Sequence, residues 1–72
     1  MAEPNIASEV IVHEGEEVVH LLEGSIEIRL EDRDPIPLHP GDTLLYPSMT
    51  PHQWVSGDAG ARFLIITSPP SF

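Results

Sequence analysis

Proline and glycine interrupt this chain so often that they exclude long helices. Eight prolines and five glycines divide 72 residues into short pieces. None of the pieces has room for an ordinary helix of about 11 residues with a regular 3.6-residue period. Several pieces instead alternate as strands do: Ile26 and Ile28 share one face of segment 25–30, and the charged residues between them share the other.

The short pieces predict an antiparallel all-β sandwich or barrel. Turn signals recur roughly every eight to twelve residues, which is the spacing of such folds. Seven strands are predicted, over residues 9–13, 17–22, 25–30, 35–38, 43–46, 52–55 and 61–67. Residues 31–34, 39–42 and 56–60 are predicted to be turns, and residues 68–72 a C-terminal tail.

The charge balance excludes several classes of partner. Twelve acidic residues face three arginines and no lysine, for a net charge of −9. No cationic patch can form, so the chain is not expected to contact nucleic acid or an anionic membrane surface. No apolar run approaches the roughly 20 residues of a membrane span, and residues 1–10 lack a signal-peptide pattern. We therefore expect a cytoplasmic protein.

The absence of cysteine narrows the ways in which so small a domain can be stabilised. Neither a disulfide nor a thiolate metal site is available. The remaining routes are a metal held by histidine and carboxylate, or self-association.

Two histidines and one glutamate are candidates for such a metal site. His13 and Glu17 flank a glycine-containing bend, which lets them converge where a straight strand would hold them roughly 13 Å apart. His52 begins a later strand. Two imidazoles and a carboxylate suit Mn, Fe, Ni, Cu or Zn and leave coordination positions open. Spacing alone is a weak signal, and it also permits ordinary turn or surface histidines, with Glu17 one of twelve acidic residues.

Two motifs in this chain resemble those of the cupin superfamily. The stretch from His13 to Gly24 is similar to the second half of the first cupin motif, H-x-H-x(3,4)-E-x(6)-G, with Glu17 in register. The stretch from Gly41 is similar to the second motif, G-x(5)-P-x-G-x(2)-H-x(3)-N, with Pro47 and His52 in register.

The chain departs from these motifs at three positions. Ile11 stands in place of the first histidine, Met49 in place of a glycine, and Ser56 in place of the asparagine. Cupins that hold a metal use three histidines and a glutamate, and isoleucine cannot coordinate. The resemblance therefore leaves two alternatives open: a three-ligand metal site at His13, Glu17 and His52, or a relic pocket in which these side chains bond one another or an anionic ligand.

The resemblance also implies the architecture. A cupin is an antiparallel β-barrel, or jelly roll, and is often dimeric. We expect residues 1–72 to form a single minimal cupin domain, with residues 1–8 poorly ordered or exchanged with a neighbouring subunit. Apolar strand faces that include Leu21, Ile28, Phe63 and Ile65 are predicted to be exposed and to drive a homodimer.

Three further residues are predicted to contact a ligand. Tyr46 and Met49 flank the loop before His52 and are expected to line the mouth of the barrel. Trp54 shares strand parity with His52, so it is either a wall of the pocket or a core aromatic. His20 has the opposite parity to Glu17 and is expected to face outward, and His39 lies in a turn.

The ending from Leu64 to Phe72, together with the bend at residues 15–17 and segment 38–42, resembles the C-terminal sensor domain of bacterial regulators that join a helix-turn-helix to a cupin. That resemblance implies a domain that binds a small polar metabolite, with or without a metal, while DNA contact belongs to another domain. The chain is then either a stand-alone minimal cupin or the effector half of a longer protein. The alternatives are a small metal-dependent enzyme (a dioxygenase, isomerase or lyase) and a structural interaction domain with a filled barrel. Ile11 weighs against the enzyme.

Overall fold

The computed structural model describes residues 2–68 and confirms the antiparallel all-β fold. Its strands are β1 (Glu16–Leu30), β2 (Ile36–Leu38), β3 (Thr43–Pro47) and β4 (His52–Ser68). Strand β4 pairs along nearly the whole of β1, and β2 and β3 lie along the opposite edge of β1. No helix among these residues is long and apolar enough to cross a membrane. Residues 69–72 of the predicted tail lie outside the described part.

The structure has fewer and longer strands than the sequence predicts. Segments 17–22 and 25–30 are two halves of β1, and segments 52–55 and 61–67 are two halves of β4. Gly24 lies between the predicted strands 17–22 and 25–30, where glycine reads as a turn residue. It instead has a φ of 81° inside β1, and the pairing register with β4 shifts around it. A Cβ at Gly24 would lie 2.1 Å from the carbonyl oxygen of Gly60. Glycine here therefore permits a bulge and a close approach of two strands.

The predicted first strand, residues 9–13, does not form. The N-terminal segment runs beside β4 and is held to it by isolated bridges, such as that between Ile11 and His52, and by separate backbone hydrogen bonds rather than by a continuous ladder. Serine hydroxyls replace part of the missing ladder, because Trp54 donates its backbone N–H to Ser8 Oγ at 3.0 Å and Ile6 donates to Ser56 Oγ at 2.9 Å. Exchange of this segment between subunits stays a prediction.

Strands β1 and β4 curl so strongly that their distant ends meet. Glu17 and Leu30 would be about 43 Å apart along a straight strand, but the longest dimension of the molecule is 31 Å. His52 pairs with Leu30, yet its Nε2 atom lies 3.3 Å from Glu17 Oε2. The bulges around Gly24 provide the bend that closes the sheet into a barrel.

The core occupies the concave face of this curled sheet. Its buried members are Val19, Leu21, Ile26, Ile28, Leu30, Leu38, Tyr46 and Ala61. The prediction that Leu21 and Ile28 form an exposed face is therefore wrong, because the curl turns both residues inward, to 0% and 1% exposure. Phe63 is half-buried, whereas Ile65 is 43% exposed.

Candidate metal centre

His13, Glu17 and His52 converge inside the barrel. Glu17 Oε2 lies 2.9 Å from His13 Nε2 and 3.3 Å from His52 Nε2. One potential ligand atom from each residue lies within 4.8 Å of the others. Glu17 and His52 are buried and His13 is half-buried. The bend after His13 and the curl of β1 together bring these side chains to one point.

The turn after β3 holds the bend that carries His13. Ser48 accepts a hydrogen bond from the backbone N–H of His13 at 3.0 Å and donates its own N–H to the carbonyl of Gly15 at 2.9 Å. Gly15 has a φ of 100°, a conformation that a residue with a side chain rarely adopts. The backbone of Ser48 thus fixes the reversal that lets residues 13 and 17 face each other, a role that spacing in the sequence does not reveal.

Both imidazoles are oriented by backbone carbonyls. His13 Nδ1 lies 3.1 Å from the carbonyl oxygen of Glu14, and His52 Nδ1 lies 2.8 Å from that of Thr50. A carbonyl oxygen can only accept, so each Nδ1 carries the hydrogen. Each Nε2 lone pair is therefore directed toward Glu17 when the ring is neutral. In metal-binding histidines, the ring nitrogen that does not bind the metal is held by hydrogen bonds of this kind, which orient the ring.

The converging atoms require a proton or a metal ion among them. Two neutral Nε2 atoms and a carboxylate oxygen are all acceptors, and acceptors at this distance repel unless a cation lies between them. The hydrogen bond to Glu17 accordingly raises the pKa of His13, and the backbone carbonyl of Glu14 adds to the effect. His52 Nε2 is buried and has no hydrogen-bond partner among the described residues, since its 3.3 Å approach to Glu17 lacks hydrogen-bond geometry.

Tyr46 supports the carboxylate from the other side. Its hydroxyl donates to Glu17 Oε1 at 2.6 Å, and the two residues are directly paired across β1 and β3. Burial, together with the hydrogen bond to Glu17, raises the pKa of Tyr46 well above its usual range. The ring centre of Tyr46 also lies 5.0 Å from that of His52. The sequence places Tyr46 near the pocket but gives no register that would identify this hydrogen bond.

A cavity of about 260 Å³ lies beside the three side chains. Tyr46 and Trp54, two of the three predicted ligand contacts, line it together with Ile11 and Ile65. Trp54 is also packed edge-on against Phe63, with ring centres 5.1 Å apart, so its two predicted roles coexist. Met49 does not line this cavity, because it lies in the turn after β3 with 60% of its surface exposed.

A larger depression of about 510 Å³ lies elsewhere on the surface and reaches only one of the three converging residues, His52. Val10, Val12 and Leu30 provide apolar walls for it. We assign the candidate site to the smaller cavity, because His13, Glu17 and His52 all line it.

The chemistry of the donor set fits a divalent first-row metal. Two imidazole nitrogens and a carboxylate oxygen are the ligand types that such ions prefer, and three protein ligands leave positions open for water or a small molecule. Ile11 pairs with His52 and lines the cavity, so a hydrocarbon side chain lies where cupins have their first histidine. The chain can therefore supply three ligands but not the usual four.

The other two histidines lie away from the centre. His20 binds Thr43 Oγ1 through Nδ1 at 2.7 Å on the opposite face of β1, as its strand parity predicts. His39 lies in the turn before β3 with 78% of its side chain exposed. Substitutions of His20 and His39 can therefore serve as controls for substitutions of His13 and His52.

The curled antiparallel barrel, with two histidines and a glutamate directed into it, has the architecture that the motifs indicate. A family model described as the cupin domain matches residues 2–67, and the chain belongs to that family. Comparison with curated proteins and with solved structures finds no match.

Proposed function

We propose that this cupin domain binds one divalent transition-metal ion through His13, Glu17 and His52 and presents it to a small polar metabolite. The observation that carries the proposal is the buried Nε2 atom of His52, which lies beside a carboxylate and has no hydrogen-bond partner within residues 2–68. An unsatisfied buried nitrogen costs roughly 1–3 kcal/mol. A bound metal removes that cost, since the lone pair then has a partner.

The cavity favours a binding domain over an enzyme. Its titratable lining residues are the three proposed ligands and Tyr46. The hydroxyl of Tyr46 already donates to Glu17, and its raised pKa keeps it protonated. General acid–base catalysis needs a group whose pKa lies near the working pH and whose proton is free to move. With the ligands engaged, the described lining holds no such group.

The second candidate is a small metal-dependent enzyme, favoured by the coordination positions that three protein ligands leave open. A bound metal would supply Lewis-acid chemistry at those positions. In that case Glu17 and the two histidines hold the ion, while Trp54 and Ile11 limit the access of water from the cavity side. A sensor binds its metabolite unchanged, and an enzyme releases a product, so the identity of the recovered ligand distinguishes the two.

The domain suits a cytoplasmic sensor that acts through a partner domain. Its net charge of −9 makes direct contact with nucleic acid unfavourable. A cavity of about 260 Å³ accommodates only a small metabolite. Metal coordination would provide the main polar recognition, because arginine and lysine are absent from the described lining of the cavity.

Titration calorimetry of the metal-free protein with Mn²⁺, Fe²⁺, Ni²⁺, Cu²⁺ and Zn²⁺ tests the proposal. We expect one ion per chain. Loss of a residue that only hydrogen-bonds to a metal ligand lowers metal affinity roughly 10- to 100-fold. His52→Ala removes a ligand itself and should lower the affinity by more than that. His39→Ala is the matched control, since it removes an exposed histidine and should leave the affinity unchanged. Absence of saturable binding, or equal binding by both variants, would overturn the proposal.

Thermal denaturation of the metal-loaded protein with amino acids, polyamines and sugar acids then tests the metabolite. A ligand that prefers the folded state raises the melting temperature in proportion to the logarithm of its concentration. We expect a shift for at least one class that disappears when the metal is removed. If the melting temperature still rises after the metal is removed with a chelator, the metabolite does not bind through the metal.

A further inference from the structure

A second concavity lies on the far side of the N-terminal segment from the metal centre. Ile11 exchanges backbone hydrogen bonds with His52 at 2.8 and 3.1 Å and lines the metal cavity. Neighbouring residues of an extended chain point to opposite faces, so Val10 and Val12 point away from that cavity. Both line the depression of about 510 Å³ instead. Among the described residues, His52 and Gln53 alone line both concavities.

One side of this depression is apolar and exposed. Val10 and Val12 have 63% and 51% of their surface accessible to solvent, and Leu30 and Pro51 lie beside them. The backbone N–H of Glu31 donates to the carbonyl of Pro51 at 3.1 Å, which fixes the opposite wall. An apolar concavity that is already formed in the free protein suits the apolar part of a small ligand.

The other side of the depression carries a positive and a negative group. Arg29 and Glu31 both line it, at the end of β1 and just after it. The Nε atom of Arg29 donates to Glu27 Oε2 at 2.6 Å, which orients the guanidinium, while its terminal nitrogens bond no residue within 2–68. Alternate residues of an extended chain lie roughly 6.7 Å apart. One small molecule with a carboxylate and an ammonium group can therefore reach both side chains.

Gln53 lies between the charged side and the apolar side. It pairs with Arg29 across β1 and β4, and Val10 flanks it on the other side. Its Nε2 atom donates to the carbonyl of Ser8 at 2.9 Å, which holds the amide and leaves Oε1 to accept a hydrogen bond from a ligand.

We infer that this depression binds a zwitterionic amino acid with a large apolar side chain. Arg29 binds the carboxylate, and Glu31 and Gln53 Oε1 accept hydrogen bonds from the ammonium group. The apolar side chain lies against Val10 and Val12. A chain of net charge −9 repels an anionic ligand, and a cationic ligand would meet the guanidinium of Arg29. A zwitterion carries no net charge and matches both groups.

Phenylalanine titrated into the metal-free, isotope-labelled protein tests the inference by NMR. We expect saturable shifts of the amides of residues 10–12, 29–31 and 53, with a millimolar dissociation constant. Arg29→Gln should weaken binding at least about tenfold. Arg62→Gln is the matched control, because both arginine side chains are 52% exposed and paired with a glutamate, and it should change binding by less than about twofold. No saturation by about 20 mM, equal effects of the two substitutions, or shifts confined to the metal cavity would overturn the inference.

Analogues of phenylalanine test each contact without altering the protein. Phenylalanine amide lacks the carboxylate, N-acetylphenylalanine lacks the ammonium group, and glycine lacks the apolar side chain. We expect each to bind at least about tenfold more weakly than phenylalanine. An amide that binds as well as phenylalanine would contradict the contact with Arg29. An equally good acetyl derivative would contradict the contact with Glu31, and equally good glycine would contradict the contact with the valines.

Melting curves separate this site from the metal centre. Binding here uses no metal, so its failure would leave the metal proposal intact, and the reverse also holds. The rise in Tm with phenylalanine should persist after chelation in the wild type and in Arg62→Gln, and it should disappear in Arg29→Gln. A rise that requires the metal, or one that Arg29→Gln retains, would place the amino acid elsewhere and contradict the inference.

Discussion

Removal of one hydroxyl group from Tyr46 should have a large effect, because that hydroxyl is the partner of a buried carboxylate. Tyr46 and Glu17 are 4% and 6% exposed, and their hydrogen bond is 2.6 Å long. A hydrogen bond to a charged group contributes about 1.5–3 kcal/mol. Tyr46→Phe should thus lower the free energy of unfolding by about 2 kcal/mol. For a domain of this size, that corresponds to a fall in Tm of roughly 8–16 °C.

Urea denaturation of the metal-free protein measures this change directly. The fluorescence of Trp54, the single tryptophan, reports on unfolding because the residue is half-buried against Phe63. Thr43→Val is the matched control: it removes a hydroxyl bonded to His20 at 2.7 Å at an exposed position. We expect that control to cost less than about 0.5 kcal/mol.

A double-mutant cycle isolates the pair. Glu17→Gln should make the further change Tyr46→Phe much less costly, because the amide is a weaker acceptor than the carboxylate. In the metal-loaded protein, Tyr46→Phe should also weaken metal binding by roughly 10- to 100-fold. If Tyr46→Phe lies within about 0.5 kcal/mol of the wild type, or if the two substitutions are additive, the hydrogen bond does not support the carboxylate.

Three further predictions concern pH, the missing ligand and the bulge. The hydrogen bond with Glu17 raises the folded-state pKa of His13 above 6.5. Its stabilisation of the metal-free protein is therefore complete below about pH 6.5 and is lost as the pH rises through the folded-state pKa. Melting curves with a chelator should show this loss, and His13→Ala should abolish it. Ile11→His should tighten metal binding about tenfold or more in calorimetry by adding a fourth ligand, and unchanged affinity would place residue 11 outside the coordination sphere. Gly24→Ala should destabilise the fold by more than about 2 kcal/mol in urea, since its Cβ would lie 2.1 Å from Gly60 O; a smaller loss would show that the bulge relaxes.

Local patterns in the sequence predicted the features that depend on parity and spacing. The alternation around Ile26 and Ile28 predicted that these residues share one face of a strand, although not that Ile28 is buried. The opposite parity of His20 and Glu17 predicted that His20 faces away from the site. The spacing from His13 across a glycine bend, together with the later His52, identified the side chains that converge. These features follow from the two-residue period of a strand and from the motifs.

Features that depend on pairing between residues far apart in the chain could not be predicted from the sequence. Gly24 reads as a turn, and only its contact with the Gly60 carbonyl makes it a bulge within one long strand. That difference merges two predicted strands into β1. A second merger gives β4 and the predicted strand 9–13 does not form, so the seven predicted strands become four. The exposed position of Met49 and the hydrogen bond of Tyr46 likewise depend on where the β3 turn lies against β1.

The arrangement of acceptors in the candidate site links its metal chemistry to its proton chemistry. Backbone carbonyls keep a hydrogen on each Nδ1, so only one cation fits between His13 Nε2, His52 Nε2 and Glu17 Oε2. In the metal-free protein the hydrogen bond to Glu17 raises the pKa of His13 and so favours a proton at that position, while His52 Nε2 has no hydrogen-bond partner among residues 2–68. A divalent metal bound there would replace the proton and give all three atoms a partner. Metal binding should therefore release a proton, and affinity should increase with pH until His13 is neutral in the metal-free protein.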